Sequence, residues 1–274
     1  MGAASMREIR SYYEQFDEWG RLDREPVEFQ VNLHYMRKHL PKSGTILDNG
    51  AGPGKYAIAL AGSGYTVTVT DLTPGLVVQA EQHAKDAGVH ASMDGFYTKD
   101  ARDLSGFRDG SFDAALMLGP LYHLQEEADR RLAVQEFARV TRIGGVIFVA
   151  FMPRTRHVLN ALTAPHKWPP HDEFEAIKSF NETGVFNHAE SGRFTGAYYY
   201  DIENIVPFME SFGFETKELI GSNVGTMMTE EQWAYWRARK EDREVTEWLI
   251  KEATNPYMLG SSSHLLYIGQ KGRV

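Results

Sequence analysis

Short runs rich in β-branched and aromatic residues alternate with amphipathic stretches from about residue 45 onward, and this alternation restricts the chain to a sheet assembled from βα units. Strands are predicted at "TILDNG" (45–50), "YTVTVTD" (65–71), "FDAALML" (112–118) and "VIFVAFM" (146–152), with a weaker one at "HASMDGFY" (90–97). Between them, "GKYAIALAGSG" ends on Gly62 and Gly64 as a helix C-terminus does, and Thr73 with Pro74 supplies an N-cap and a first helical residue. "EEADRRLAVQEFARV" (126–140) repeats apolar residues at helical spacing before a break at Gly144-Gly145. Such a succession makes a doubly wound, largely parallel sheet the economical solution.

After the fifth strand the rhythm stops. Residues 153–200 hold "HKWPPHDEF" and "NETGVFNHAESGRFTGAYYY", rich in Pro, His and aromatics without clear periodicity, and are expected to form an inserted cap. A helix is predicted from Asp201 to Gly213, then a strand "FETKELIGS", a helix opened by the capping box Thr229-x-x-Gln232, and a last strand "SHLLYIGQ". With no repeat and no flexible linker, the chain is expected to be one decorated domain. It divides into an N-terminal helical part (1–40), an α/β core (41–152), the cap (153–200) and a C-terminal segment (201–274) that completes the sheet around an inserted helix.

Composition trims the functions available to such a fold. A net charge of −8 provides no electrostatic footprint for a phosphate backbone, so nucleic acid is not the expected partner. The absence of cysteine removes disulfides, thiolate metal sites and thiol nucleophiles, and no metal-ligand spacing such as H-E-x-x-H occurs. The longest apolar run, at 146–152, is far too short for a bilayer, and the N-terminus lacks a signal-peptide core; a soluble cytoplasmic protein is expected, with no fold argument placed on the leading "MGAAS".

The most informative stretch is "ILDNGAGPGKYAIALA", where a strand runs into Gly50, Gly52 and Gly54 and then a helix. Backbone N–H groups and a helix end converge there at the carboxyl edge of the sheet. The spacing G-x-G-x-G is neither the G-x-G-x-x-G of dinucleotide sites nor a P-loop, because Lys55 is not followed by Ser or Thr.

Asp48-x-Gly50-x-Gly52-x-Gly54 instead resembles motif I of the class I S-adenosylmethionine (SAM)-dependent methyltransferases. Asp71, closing the second strand, stands where these enzymes hold an acidic residue against both ribose hydroxyls. Asp100-Ala101 in "KDARDL" resembles the adenine-contacting pair, and "SFDAALMLGPLYHL" the fourth strand and its loop. The resemblance covers roughly residues 5 to 220. It implies a Rossmann-like, mostly parallel seven-stranded sheet with a cap after strand five, and SAM as cofactor. Asp48, Gly50, Gly52, Gly54, Asp71, Leu72, Asp100, Ala101, Leu118 and Tyr13 are then the expected cofactor-binding residues. SAM bears a sulfonium and an ammonium but no phosphate, which suits close backbone, carboxylates and aromatic faces. Asn49 departs from the apolar or small residue usual there and is expected to alter local packing.

Each candidate has a plainer role as well. The glycines could form a tight turn only, and Asp71 could cap the following helix. Tyr12, Tyr13, Phe16 and Trp19 recur at helical spacing, either as an amphipathic packing face or, by resemblance, as a lid over SAM. His123 is the expected general base, with Tyr122 orienting the acceptor; both could instead only shape the pocket. His166, His171, His188 and Tyr198 to Tyr200 could line an acceptor pocket or pack the cap. Methyl transfer to an O, N or C atom of a small molecule is expected, with S-adenosylhomocysteine released. The lack of an Asn-Pro-Pro-Tyr-like motif after strand four disfavours base methylation. Methylation of tRNA or protein, a non-catalytic SAM-binding module and homo-oligomerisation through the charged helix near 229–254 stay open.

Overall fold

The computed structural model describes residues 6–24, 26–190, 192–223 and 228–273; the leading "MGAAS" lies outside them. Three helices, α1 (Met6–Gln15), α2 (Glu18–Arg24) and α3 (Pro26–His39), precede the sheet. The alternating segment then folds as β1 (Thr45–Asn49), α4 (Lys55–Ala61), β2 (Thr66–Asp71), α5 (Pro74–Asp86), β3 (Met93–Thr98), β4 (Phe112–Met117), α6 (Glu127–Val140) and β5 (Thr141–Phe151). The cap holds α7 (Arg154–Thr163), α8 (Phe174–Thr183) and the short antiparallel pair β6 (Val185–Phe186) and β7 (Ala197–Tyr198). The chain returns through α9 (Ile202–Glu210), β8 (Phe214–Gly221), α10 (Glu230–Arg239), α11 (Asp242–Glu252) and β9 (Leu265–Lys271).

Seven strands form one sheet in the order β3-β2-β1-β4-β5-β9-β8, parallel from β3 to β5, with β9 antiparallel to both its neighbours. Because strand side chains alternate, Ile46 and Leu47 of β1 enter separate hydrophobic cores on opposite faces of the sheet. Both are shielded almost completely, a contribution of roughly 1.5–3 kcal/mol each. Strand order reverses between β1 and β4, so the loops leaving their carboxyl ends border one crevice.

Several boundaries differ from expectation for identifiable reasons. Gly144 and Gly145 do not separate helix from strand: α6 passes straight into β5 at Thr141, and the glycines sit inside β5 beside a register shift against β4. β3 reads weakly in sequence because it is an edge strand with no fully buried residue. The single charged helix expected near 229–254 is two, broken at Lys240 with φ 59°. Thr73 occupies an N-cap position without capping by its side chain; the Asp71 carboxylate accepts its N–H instead.

The cap is a packed unit. His157 and His171 lie buried with Nε2 2.9 Å from Nδ1, ringed by Phe180, Phe186 and Tyr199. Gln125, just before α6, donates to the carbonyls of Phe186 and Ala197, and the Arg130 guanidinium stacks 3.5 Å from the centre of the Tyr198 ring, fastening the β6–β7 hairpin to the core. His171 and Tyr199 therefore serve packing, while Tyr198 and Tyr200 pack toward Arg130 and Phe151. Among the described residues no helix is long and apolar enough to cross a membrane.

Candidate functional site

The two loops at the crevice build one cleft. Leaving β1, Gly50 and Ala51 both donate to the Thr70 carbonyl, at 2.8 and 3.0 Å, and the chain turns through Gly50 at φ 78°. A Cβ on Gly50 would stand 2.2 Å from Pro120 Cγ, so the first loop touches the second only because this residue has no side chain. Gly50→Ala is therefore expected to displace the 119–123 turn, deforming the cleft and lowering thermal stability; unchanged melting would show that the turns adapt.

Asp48, at the end of β1, is 2 % exposed, and its Oδ2 has no hydrogen-bond partner among the described residues. Burial, reinforced by the neighbouring Asp71 charge, pushes its pKa up to about 7. Asp71 is set by backbone: Oδ2 accepts from Gly52 N and Oδ1 from Thr73 N, both at 2.8 Å. Burial raises its pKa, opposed by these two backbone bonds and by a hydrogen bond from the Thr73 side chain. Asn49 accepts the Thr70 hydroxyl at Oδ1 at 2.9 Å, and its buried Nδ2 has no hydrogen-bond partner among the described residues.

Leu72, Ala101 and Leu118 complete the apolar wall, and Asp100 stands beside them. Its carboxylate is gripped at both oxygens by Arg102, at 3.0 and 2.7 Å, and Arg102 also reaches Asp129 at 2.8 Å. Burial alone would raise the Asp100 pKa; the Arg102 bonds outweigh it and lower it. Arg102 is a neighbour that residue-type reasoning missed, although its i+2 spacing in "DARD" was visible.

α1 and α2 lie over the opening. The Tyr13 hydroxyl is 2.8 Å from His123 Nε2, and the rings meet edge to face at 5.3 Å. Phe194 from the cap closes on His123 at 5.2 Å and on Tyr12 at 6.0 Å. Burial pulls the His123 pKa down to about 4, so the imidazole is neutral at physiological pH. Tyr122 packs between His123 and the stacked ring of His264. The Trp19 ring lies 3.9 Å from the His83 ring, tilted by 39°, and Lys55 Nζ donates to the Trp19 carbonyl, which seats α2 against α5 and the start of α4.

The cleft thus gathers Asp48, Gly50, Gly52, Asp71, Leu72, Asp100, Ala101, Leu118, Tyr13, Tyr122 and His123. Gly54 does not line it: at φ 86° it packs against α5, where a Cβ would stand 3.0 Å from Ala80 Cβ. His166, His171 and His188 do not line it. Glu18, Arg21 and Glu28 do line it and were not anticipated, since nothing in their spacing distinguishes them from a solvated helix face.

Residues 47–149 match the methyltransferase-domain family. A ubiquinone biosynthesis O-methyltransferase of Xylella fastidiosa is 32 % identical over 126 residues, 46 % of this chain and 49 % of that protein. The chain thus spans about half the length of the curated relatives it matches. Among solved structures, the 1,6-didemethyltoxoflavin-N1-methyltransferase of Burkholderia thailandensis, bound to 1,6-didemethyltoxoflavin and S-adenosylhomocysteine, superposes with a TM-score of 0.60 at 14 % identity. That alignment covers 100 % of this chain and 93 % of the other. A SAM-dependent methyltransferase of Methanosarcina mazei gives 0.58 at 22 % identity, over 88 % and 98 %. Matched domain, sheet order and relatives agree that residues 47–149 are similar to a methyltransferase domain, within a fold shared with SAM-dependent methyltransferases.

Proposed function

We propose that this protein transfers the methyl group of SAM to a hydroxyl of a planar small molecule. The observation that carries the cofactor half is the buried Asp48 Oδ2, a carboxylate oxygen without a partner in a cleft that a cation would complete. The residues present fit SAM: Asp48 for the ammonium, the Asp71 carboxylate for the ribose hydroxyls, Leu72, Ala101 and Leu118 around the base, with Asp100 offering only what Arg102 leaves. When bound, SAM supplies an electrophilic methyl group and a neutral thioether leaving group.

On the acceptor side the residues position and deprotonate. Tyr122, Tyr13 and Phe194 wall the space beside His123 with aromatic surface, which favours a flat acceptor. His123 is neutral, so Nε2 takes the hydroxyl proton, directly on displacing Tyr13 or through the Tyr13 phenol already bonded to it. The O-methyltransferase names of the half-length relatives support oxygen as the methylated atom. The acidic net charge supports a small-molecule acceptor over nucleic acid.

The test is calorimetric titration with SAM and S-adenosylhomocysteine, with NAD as control, followed by labelled-methyl transfer to a panel of phenols and enols. Binding in the micromolar range is expected, with Asp71→Ala weaker by roughly 100-fold, about 2.7 kcal/mol. Absence of SAM binding to the wild type overturns the proposal.

A further inference from the structure

One buried carboxylate ties the lid to the far end of the chain. Glu28, in the first turn of α3, is 6 % exposed, yet its Oε2 receives Arg21 Nη1 from α2 at 3.2 Å and Asn223 Nδ2 from the turn after β8 at 3.1 Å. Oε2 also lies 3.2 Å from Nδ1 of His264, the residue before β9. The N-terminal helices, the turn after β8 and the residue before β9 therefore meet on one oxygen. Burial alone would raise the Glu28 pKa; the charges of Arg21 and then His264 overcome it and hold the carboxyl well below its usual range.

Both arms of this junction end at the cleft. On one side, Arg21 is shared with Glu18, its Nε 2.9 Å from Oε1, and Glu18 lies directly over the glycine loop, where a Cβ on Gly52 would meet Glu18 Cγ at 3.6 Å. On the other side, the His264 ring stacks on Tyr122 at 5.8 Å, beside His123. We propose that Glu28 is a positioning residue that serves both halves of the site, holding the lid over the cofactor through Arg21 and placing Tyr122 on the acceptor side through His264. This rests on the SAM-binding reading above.

A buried ion pair is a poor source of stability, because desolvation offsets attraction, but removing one partner leaves an uncompensated charge. Glu28→Gln keeps shape and an acceptor oxygen while removing the charge that holds Arg21. Its expected result is SAM binding weaker by about 10-fold or more, within the usual range for coupled sites. Trypsin cleavage within residues 6–24 is expected to be suppressed by SAM in the wild type and to persist in the variant at saturating SAM. His264→Ala keeps the Arg21–Glu28 pair and cuts only the acceptor arm; it should leave SAM affinity within about 2-fold and lower kcat by several-fold.

If Glu28→Gln melts earlier yet binds SAM with wild-type affinity and full protease protection, Glu28 is only structural and the inference falls. It falls equally if His264→Ala leaves kcat unchanged. Should Glu28→Gln not fold, the His264→Ala split between affinity and kcat still decides. Failure of the wild type to bind SAM would overturn the cofactor reading instead, which is a distinct result.

Discussion

At pH 8, Asp48→Asn should raise the melting temperature of the ligand-free protein while weakening SAM binding by about 100-fold, the equivalent of roughly 3 kcal/mol. Burial and Asp71 raise the Asp48 pKa from 3.8 to about 7. Between these values the folded chain keeps a proton that the unfolded chain has released, so stability falls as pH rises through this window. Above pH 7 the cost is fully present, on the order of 4 kcal/mol at about 1.4 kcal/mol per pH unit. Asparagine copies the protonated acid and cannot ionise, which removes that cost at pH 8. At pH 4 it leaves the two proteins alike.

Binding runs the other way. An ammonium at Asp48 favours the carboxylate, so wild-type affinity for SAM should decline as pH drops below about 7, and the variant should show no such slope. Thermal unfolding and calorimetry at pH 4, 6 and 8 read both effects. An equal gain in melting temperature at every pH would mean that packing, not titration, separates the variants, and a wild-type affinity flat from pH 5 to 8 would remove Asp48 from the ammonium site. With both expected effects present, Asp48 is a stability sacrifice made for the ligand, the trade expected where a site stores an unpaired group.

The parts of this molecule legible in sequence are those written by local rules. The alternation of "TVTVT" with "GLVVQAEQHA" announces strand and helix because period two and period 3.6 are different patterns, and the two flanking strands predict the turn at Gly50. What escaped is non-local. Glu28 and Arg21 look like solvated helix residues until Asn223 and His264, about two hundred positions on, arrive beside them. Tyr13 was assigned to the cofactor on its place in an aromatic stripe, and only the fold brings its hydroxyl to His123 across 110 residues. The cap hid two helices because His157 and His171 carry its core: buried polar rings that break an apolar periodicity while still packing like aromatics.

Replacing His123 by alanine should lower kcat by about 10²- to 10⁴-fold, the range for removing a positioned general base, with SAM affinity changed little. A base whose pKa is about 4 is intrinsically weak. It suffices because the attacking hydroxyl becomes strongly acidic as its oxygen bonds to carbon, so what the site must hold is a neutral nitrogen within reach at the right moment. The lowered pKa guarantees neutrality: wild-type kcat should be flat above pH 5 and decline only as pH falls through about 4. The same depression, from 6.5, means that the His123 contribution to stability is present above pH 6.5 and is lost as pH falls from there toward 4, where the unfolded chain takes up a proton the folded chain refuses.

Tyr13→Phe separates the two routes for the proton. If the phenol relays it, kcat falls about 10-fold or more at unchanged SAM affinity. If Tyr13 serves only to latch α1, SAM binding weakens and kcat at saturation survives. A kcat for His123→Ala equal to the wild type over the whole pH profile would leave methyl transfer here to proximity alone, with the imidazole as a wall of the pocket.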